Sequence, residues 1–83
     1  MKPVLVYTMR RCGYCEMAKR LLKGKGIPFE ERLVEDSDTA AWDRLERETG
    51  FKTMPQIFID GKFIGGYTEL AELERSGALD SLS

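Results

Sequence analysis

The chain has 83 residues, thirteen Lys or Arg against fourteen Asp or Glu, a net charge of −1, and no histidine. That length suits one domain, 1–83, with a thin core, since so small a chain buries only about 60% of the surface its unfolded form exposes. The near-neutral charge offers no general attraction to nucleic acid or an anionic membrane, and the missing histidine removes His-based catalysis and the commonest zinc ligand.

Pro3 to Thr8 is nearly all apolar after the proline and predicts a central strand buried on both faces. A helix is predicted from about Gly13 to Lys23, with Cys15, Ala18, Leu21 and Leu22 as its inward stripe. Gly24 and Gly26 should stop it, with Pro28 beyond. Phe29 to Val34 reads as a second strand, and Glu30, Glu31 and Arg32 mark it as an edge. Ser37 or Asp38 should cap a second helix that runs to about Thr49 and ends at Gly50, with Ala41, Trp42 and Leu45 facing inward. Gln56-Ile57-Phe58-Ile59 and Lys62-Phe63-Ile64-Gly65 are two strands around Asp60-Gly61, a dipeptide suited to a type I′ hairpin turn. Thr68 is expected to cap a short last helix from Glu69 to about Arg75, with Gly77 after it.

The order is therefore βαβ, helix, ββα. A βαβ crossover makes the first two strands parallel, and the hairpin makes the last two antiparallel. The expected fold is α/β: a four-stranded mixed sheet flanked by three helices. No signal peptide is legible and the apolar runs are too short to span a bilayer, so a cytoplasmic protein with no membrane partner is expected.

The two cysteines, Cys12 and Cys15, flank Gly13-Tyr14 where the first strand hands over to the first helix. A structural bridge closing so small a loop would staple almost nothing. A zinc site needs four ligands as a rule, and there is no second cysteine pair. Thiol–disulfide chemistry fits the position. At a helix N-terminus, free N–H groups and the macrodipole stabilise a thiolate. Cys12, near the N-cap, is expected to be exposed, with a lowered pKa, and to be the nucleophile. Cys15, one turn inside on the buried face, is expected to resolve the mixed disulfide.

Charge is uneven along the chain. Residues 1–26 carry seven cations and one anion, and the remainder six cations and thirteen anions. Lys19, Arg20, Lys23 and Lys25 can simply solvate one helix face, but Arg10 and Arg11 adjoin Cys12, where positive charge would favour its thiolate. Gly13 leaves the loop flexible and room beside the sulfurs. Tyr14 is either an idle surface aromatic or a wall of a substrate groove.

C-x-x-C beside a βαβ pattern is the thioredoxin-like signature. In that context Pro55, at the start of a strand, favours a cis bond that turns the backbone of Met54 toward an extended peptide. Gly65-Gly66 before a helix start suits close approach of a ligand backbone, with the helix N-terminus receiving a carboxylate.

Val6-Tyr7-Thr8, Cys12-Gly13-Tyr14-Cys15, Thr53-Met54-Pro55-Gln56-Ile57-Phe58-Ile59, Gly65-Gly66 and Gly77-Ala78-Leu79 together resemble glutaredoxin, across essentially the whole chain. The resemblance implies reduction of protein disulfides and glutathione mixed disulfides, with glutathione as electron source and the chain acting as a monomer. It implies that Tyr14, Thr53, Met54 and Pro55 line the glutathione groove. Gly66, Tyr67, Thr68 and Glu69 would hold the γ-glutamyl end.

The chain departs from that family in four places. Met9 stands where a lysine is usual, so the cation for a carboxylate must come from Arg10, Arg11 or Lys52. Gly13 replaces a proline, which is similar to members in which two chains and two glutathiones bridge a two-iron two-sulfur cluster through the first cysteine. Tyr67-Thr68-Glu69 replaces Cys-Asp-Asp. Gly50-Phe51-Lys52 resembles the thioredoxin-reductase-driven electron donors of ribonucleotide reductase, an alternative role.

Overall fold

The computed structural model describes residues 2–82; Met1 and Ser83, the two ends of the expected domain, lie outside the described residues. The elements are β1 (Val4–Thr8), α1 (Gly13–Gly24), β2 (Glu30–Leu33), α2 (Thr39–Thr49), β3 (Gln56–Ile59), β4 (Lys62–Gly65), α3 (Tyr67–Arg75) and a closing 3₁₀ turn, Asp80–Leu82. The sheet order is β2-β1-β3-β4. β1 pairs parallel with β2, and β3 pairs antiparallel with both β1 and β4. This is the expected mixed sheet with three helices.

β1 is central because its neighbours satisfy its backbone on both sides. Val4, Val6 and Thr8 are buried, while Leu5 and Tyr7 are half-buried. Only one face of β1 is thus fully covered, where both were expected. On that face Val4 and Val6 pack with Ala18 and Leu22 of α1, Ile57 of β3 and Leu70 of α3. Full burial of a Val, Leu or Ile is worth about 1.5–3 kcal/mol, so this cluster carries much of the stability. The turn at Asp80–Leu82 adds Leu79 and Leu82 to it, an element the sequence reading lacked.

The opposite face is thinner. Of α2, Leu45 is buried, and Ala41 and Trp42 are half-buried against the cluster of Cys12, Cys15, Val34 and Met54. Trp42 stays near the rim because its indole N–H donates to the Glu35 carbonyl at 3.0 Å. Every residue of β2 is exposed, which agrees with an edge strand studded with charge. β2 is shorter than Phe29 to Val34, and those two end residues pack with the two clusters.

Local signals explain the ends. α1 continues through Gly24 and closes with Ile27 N–H donating to Leu22 O at 2.9 Å and Gly26 N–H to Lys23 O at 3.0 Å, a Schellman arrangement. Asp38, not Ser37, caps α2, its side chain accepting from Ala41 N–H. Asp60 and Gly61 have φ of 55° and 78°, the paired positive values of a type I′ turn. α3 begins two residues earlier than expected. Its N-cap is Gly66 rather than Thr68, because Glu69 reaches back to accept from Gly66 N–H at 2.7 Å.

Candidate active site

Cys12 is the N-cap of α1, with extended backbone (φ −115°, ψ 104°), and Cys15 is in the first turn. The two sulfurs are joined in a disulfide. Cys12 Sγ accepts the Cys15 N–H at 3.1 Å, so the sulfur itself satisfies one of the free amides at the helix start. The same amide would stabilise a thiolate there after reduction.

Cys12 is not the exposed residue the sequence suggested. It is 8% exposed and Cys15 1%. Its sulfur lies 3.7 Å from the Met54 carbonyl oxygen and packs with Met54, Val34 and Leu45. Of the two, Cys12 still faces solvent more.

Gly13 occupies the first position of α1, and a Cβ added there would meet nothing within 4 Å. Space beside the sulfurs therefore does not require glycine.

Beside Cys12 the Met54–Pro55 peptide is cis. Gly66 comes close to it: a Cβ on Gly66 would sit 3.3 Å from the Pro55 carbonyl oxygen. Between these two backbones opens a groove of about 320 Å³, lined by Tyr14, Phe51, Thr53, Met54, Pro55, Gly66, Tyr67, Thr68 and Glu69. Tyr14, 63% exposed, stacks on Tyr67 with ring centroids 6.1 Å apart. The fold thus brings together eight of the residues singled out from sequence.

The three candidate cations lie outside this lining. Arg10 is engaged by Glu35 through two 2.8 Å hydrogen bonds. That pairing raises the Arg10 pKa and holds the Glu35 carboxyl below its usual range. Its charge is compensated rather than aimed at Cys12. Lys52 stands 3.6 Å from Glu46 and is 76% exposed. Arg11 has a φ of 55° and no ion pair among the described residues.

Two residues quoted in the sequence motifs, but given no role in the site there, belong to it. Phe51 lines the groove, its ring set edge-on to Phe63 at 4.9 Å. Gln56, 0% exposed, holds the loop that carries it. Its Nε2 donates to Phe51 O at 3.0 Å and Thr53 O at 3.2 Å. The Thr49 hydroxyl accepts from Phe51 N–H at 3.1 Å. Its single proton is shared between Gln56 Oε1 at 3.0 Å and Leu45 O at 2.8 Å. A polar residue opening an otherwise apolar strand was the available signal for Gln56.

A second polar knot lies under α1. The Thr8 hydroxyl, 1% exposed as a residue, donates to Glu31 at 2.8 Å. Lys19 bridges Glu31 at 3.0 Å and Glu16 at 2.9 Å. The Thr8 hydrogen bond foremost, then Lys19, holds the Glu31 carboxyl below its ordinary range. This ties α1 to β1 and β2 just behind the cysteines.

The glutaredoxin family model matches residues 4–64, a span that runs from β1 through the cysteine pair and cis proline into β4. The chain belongs to the glutaredoxin family. Glutaredoxin 3 of Escherichia coli (strain K12) is 43% identical to it over 82 residues, covering 99% of this chain and 98% of that protein. A glutaredoxin of Pseudomonas aeruginosa is also 43% identical, with 99% and 96% covered. Among solved structures, a buckwheat glutaredoxin–glutathione complex superposes with a TM-score of 0.85 at 34% identity, covering 98% of this chain and 76% of that one. A glutaredoxin whose two cysteines form the C-x-x-C disulfide is a thiol–disulfide oxidoreductase, and that is the activity of this fold and site.

Proposed function

We propose that this glutaredoxin reduces protein disulfides and glutathione mixed disulfides, with glutathione as its electron source. The carrying observation is Cys12 Sγ at the head of α1, accepting the Cys15 N–H beside Met54 and the groove. The buckwheat glutaredoxin with bound glutathione supports the choice of thiol.

In this reading the Cys12 thiolate attacks one sulfur of the substrate disulfide. A bond forms to Cys12 Sγ, the substrate S–S bond breaks, and the other sulfur leaves as a thiolate that takes a proton from solvent. Cys15 then attacks Cys12 Sγ, releases the second thiol and forms the intramolecular disulfide. Two glutathiones restore the dithiol and leave as one oxidised glutathione. When the adduct on Cys12 is glutathione itself, a second glutathione can replace Cys15 in the resolving step.

Glutathione would lie along Tyr14, Thr53, Met54 and Pro55, with the Met54 backbone pairing its cysteinyl part. The start of α3, at Tyr67 and Thr68, would receive a carboxylate on free helix amides. Arg11 has no ion pair among the described residues, and of the two paired cations Lys52 has less to give up. It adjoins Thr53 of the groove wall, and its exposed contact to Glu46 is long. Arg10 would have to leave a two-bond pair with Glu35.

The protein is read as a monomer of the cytosol, where a reducing thiol pool can recycle a C-x-x-C pair.

The test is turnover of a glutathione mixed disulfide with glutathione reductase and NADPH recycling the oxidised glutathione. Steady NADPH consumption supports the reading. Silence there, with turnover driven by thioredoxin reductase, would replace it by an electron donor of the ribonucleotide reductase type.

A further inference from the structure

A second surface adjoins the redox site on the far side of Tyr67. Among the described residues three large apolar side chains are exposed, Tyr14, Met17 and Leu33. Tyr14 and Met17 are three residues apart on α1, so they share one face of the helix. Beside them Met17, Arg20, Leu21 and Tyr67 line a depression of about 260 Å³. Tyr67 lines both this depression and the groove, and Tyr14 stacks on it. Apolar surface gathered in this way next to a reactive centre marks a place where another molecule is buried.

The charge on this face has one sign. Arg20 is exposed, with no ion pair and no side-chain hydrogen bond among the described residues. Its neighbour Lys19 is held instead by Glu16 and Glu31. No carboxylate lines the depression. It therefore offers apolar walls to a side chain and an uncompensated guanidinium to an anion. Reach decides which ligand can use both. At about 1.5 Å per residue along α1, Met17 lies about 7.5 Å and Arg20 about 12 Å beyond Cys12. An extended polypeptide rises about 3.3 Å per residue, so it meets them about two to four residues from its own cysteine. Glutathione has a single residue on each side of its cysteine and stops short of Arg20.

From this we infer that the face formed by Met17, Arg20, Leu21 and Tyr67 is a docking surface for polypeptide substrates: it takes disulfides in which an apolar residue and then an acidic one lie about three and four residues from the reacting cysteine. The inference rests on the disulfide-reductase reading above and adds a substrate class to it, leaving the seat of glutathione in the groove as described. The substrate cysteine reacts at Cys12 Sγ, its apolar side chain lies on Met17 and Tyr67, and its carboxylate meets Arg20.

The experiment uses the reduced full chain and symmetric disulfides of three peptides. These are Asp-Phe-Gly-Gly-Cys-Gly-Gly-Phe-Asp, the same peptide with Lys for Asp, and the same with Gly for Phe. The Cys12 thiolate displaces one peptide as a thiolate that takes a proton from solvent, and Cys15 displaces the other from Cys12 Sγ. Each turnover thus oxidises the Cys12–Cys15 dithiol and releases two peptide thiols, followed by acid quench and chromatography. Every peptide is scored against oxidised glutathione on the same protein. Half-saturation for the Asp-Phe peptide should be about fivefold lower than for the Lys peptide, as one exposed ion pair provides. It should be about tenfold lower than for the peptide without Phe, from partial burial of that ring. Arg20→Glu should invert the order of the Asp and Lys peptides. Lys62→Glu, the same change of net charge at the hairpin end of β4, should leave that order standing. Equal half-saturation for the Asp and Lys peptides, or an order unmoved by Arg20→Glu, would overturn the inference. A dimer seen in sedimentation of the parent and lost in Arg20→Glu would assign the face to a second copy of the chain and overturn it too. Reduction of oxidised glutathione without discrimination among peptides removes the docking surface alone. No thiol release from any disulfide, glutathione included, would overturn the reductase reading beneath it.

Discussion

The side-chain amide of Gln56 donates to the carbonyl of Phe51 at 3.0 Å, from a residue with no exposed surface. A buried amide at the head of β3 thereby fixes the loop that walls the groove. Gln56→Leu would keep the volume but strip Phe51 O and Thr53 O of their donor. The expected cost is about 1–3 kcal/mol, the penalty for leaving buried polar groups unpaired. Denaturant unfolding measures it, and half-saturation for a disulfide substrate should rise alongside.

Much of the fold was legible because its signals are local. The Asp60-Gly61 turn, the charged edge strand β2 and the cap at Asp38 each follow from a few adjacent residues. The site was legible where chemistry demands a fixed spacing, at Cys12 and Cys15. What escaped depends on contacts distant in sequence or on competition. Phe51 reads as a loop residue until β4 sets Phe63 against it. Thr68 has the better capping side chain, yet Glu69 is three residues after Gly66, and its carboxylate on the Gly66 N–H sets the start of α3. Cys12 reads as exposed until the Met54 loop folds over it. Leu79 and Leu82 complete a core assembled from five other segments.

Gly13→Pro should stabilise the protein. The position is the first of α1, an added side chain has room, and Cys12 before it already has the extended backbone that a following proline prefers. The gain expected is about 0.4–1 kcal/mol through the unfolded chain. Thermal unfolding of the two oxidised proteins decides it, and a lower midpoint for the variant would contradict the argument.

Gly65→Ala should do the reverse. Gly65 has a φ of 123°, and a Cβ there would come within 2.5 Å of the Glu69 side chain. Strain of about 1–3 kcal/mol is expected, with weakened capping of α3 as Glu69 is displaced. Loss of helical circular dichroism at lower denaturant is the readout.

Thr8→Val separates neutral from acid stability. Glu31 has a depressed pKa, held chiefly by the Thr8 hydroxyl. A depressed carboxylate stabilises the fold above its unfolded pKa of about 4.3, and that contribution is lost as pH falls through the lower folded value. The variant raises the folded pKa toward ordinary. It should be less stable than the parent at pH 7, by about 1 kcal/mol for one hydrogen bond, and the gap should narrow by pH 3. A gap independent of pH would show that Glu31 plays no part.

The two cysteines should not be equivalent. Cys12→Ser is expected to abolish all reduction. Cys15→Ser should retain reduction of glutathione mixed disulfides, where glutathione can resolve the adduct, and lose dithiol reduction of protein disulfides. Loss of both activities in Cys15→Ser would mean the roles are misassigned.

The most direct measurement is the intact mass of Cys15→Ser and Cys12→Ser after brief exposure to oxidised glutathione. A glutathione adduct that forms rapidly on Cys12 of the Cys15→Ser protein, and much more slowly on Cys15 of the other, is the predicted result. Faster adduct formation at Cys15 would contradict the assignment of Cys12 as the attacking thiol.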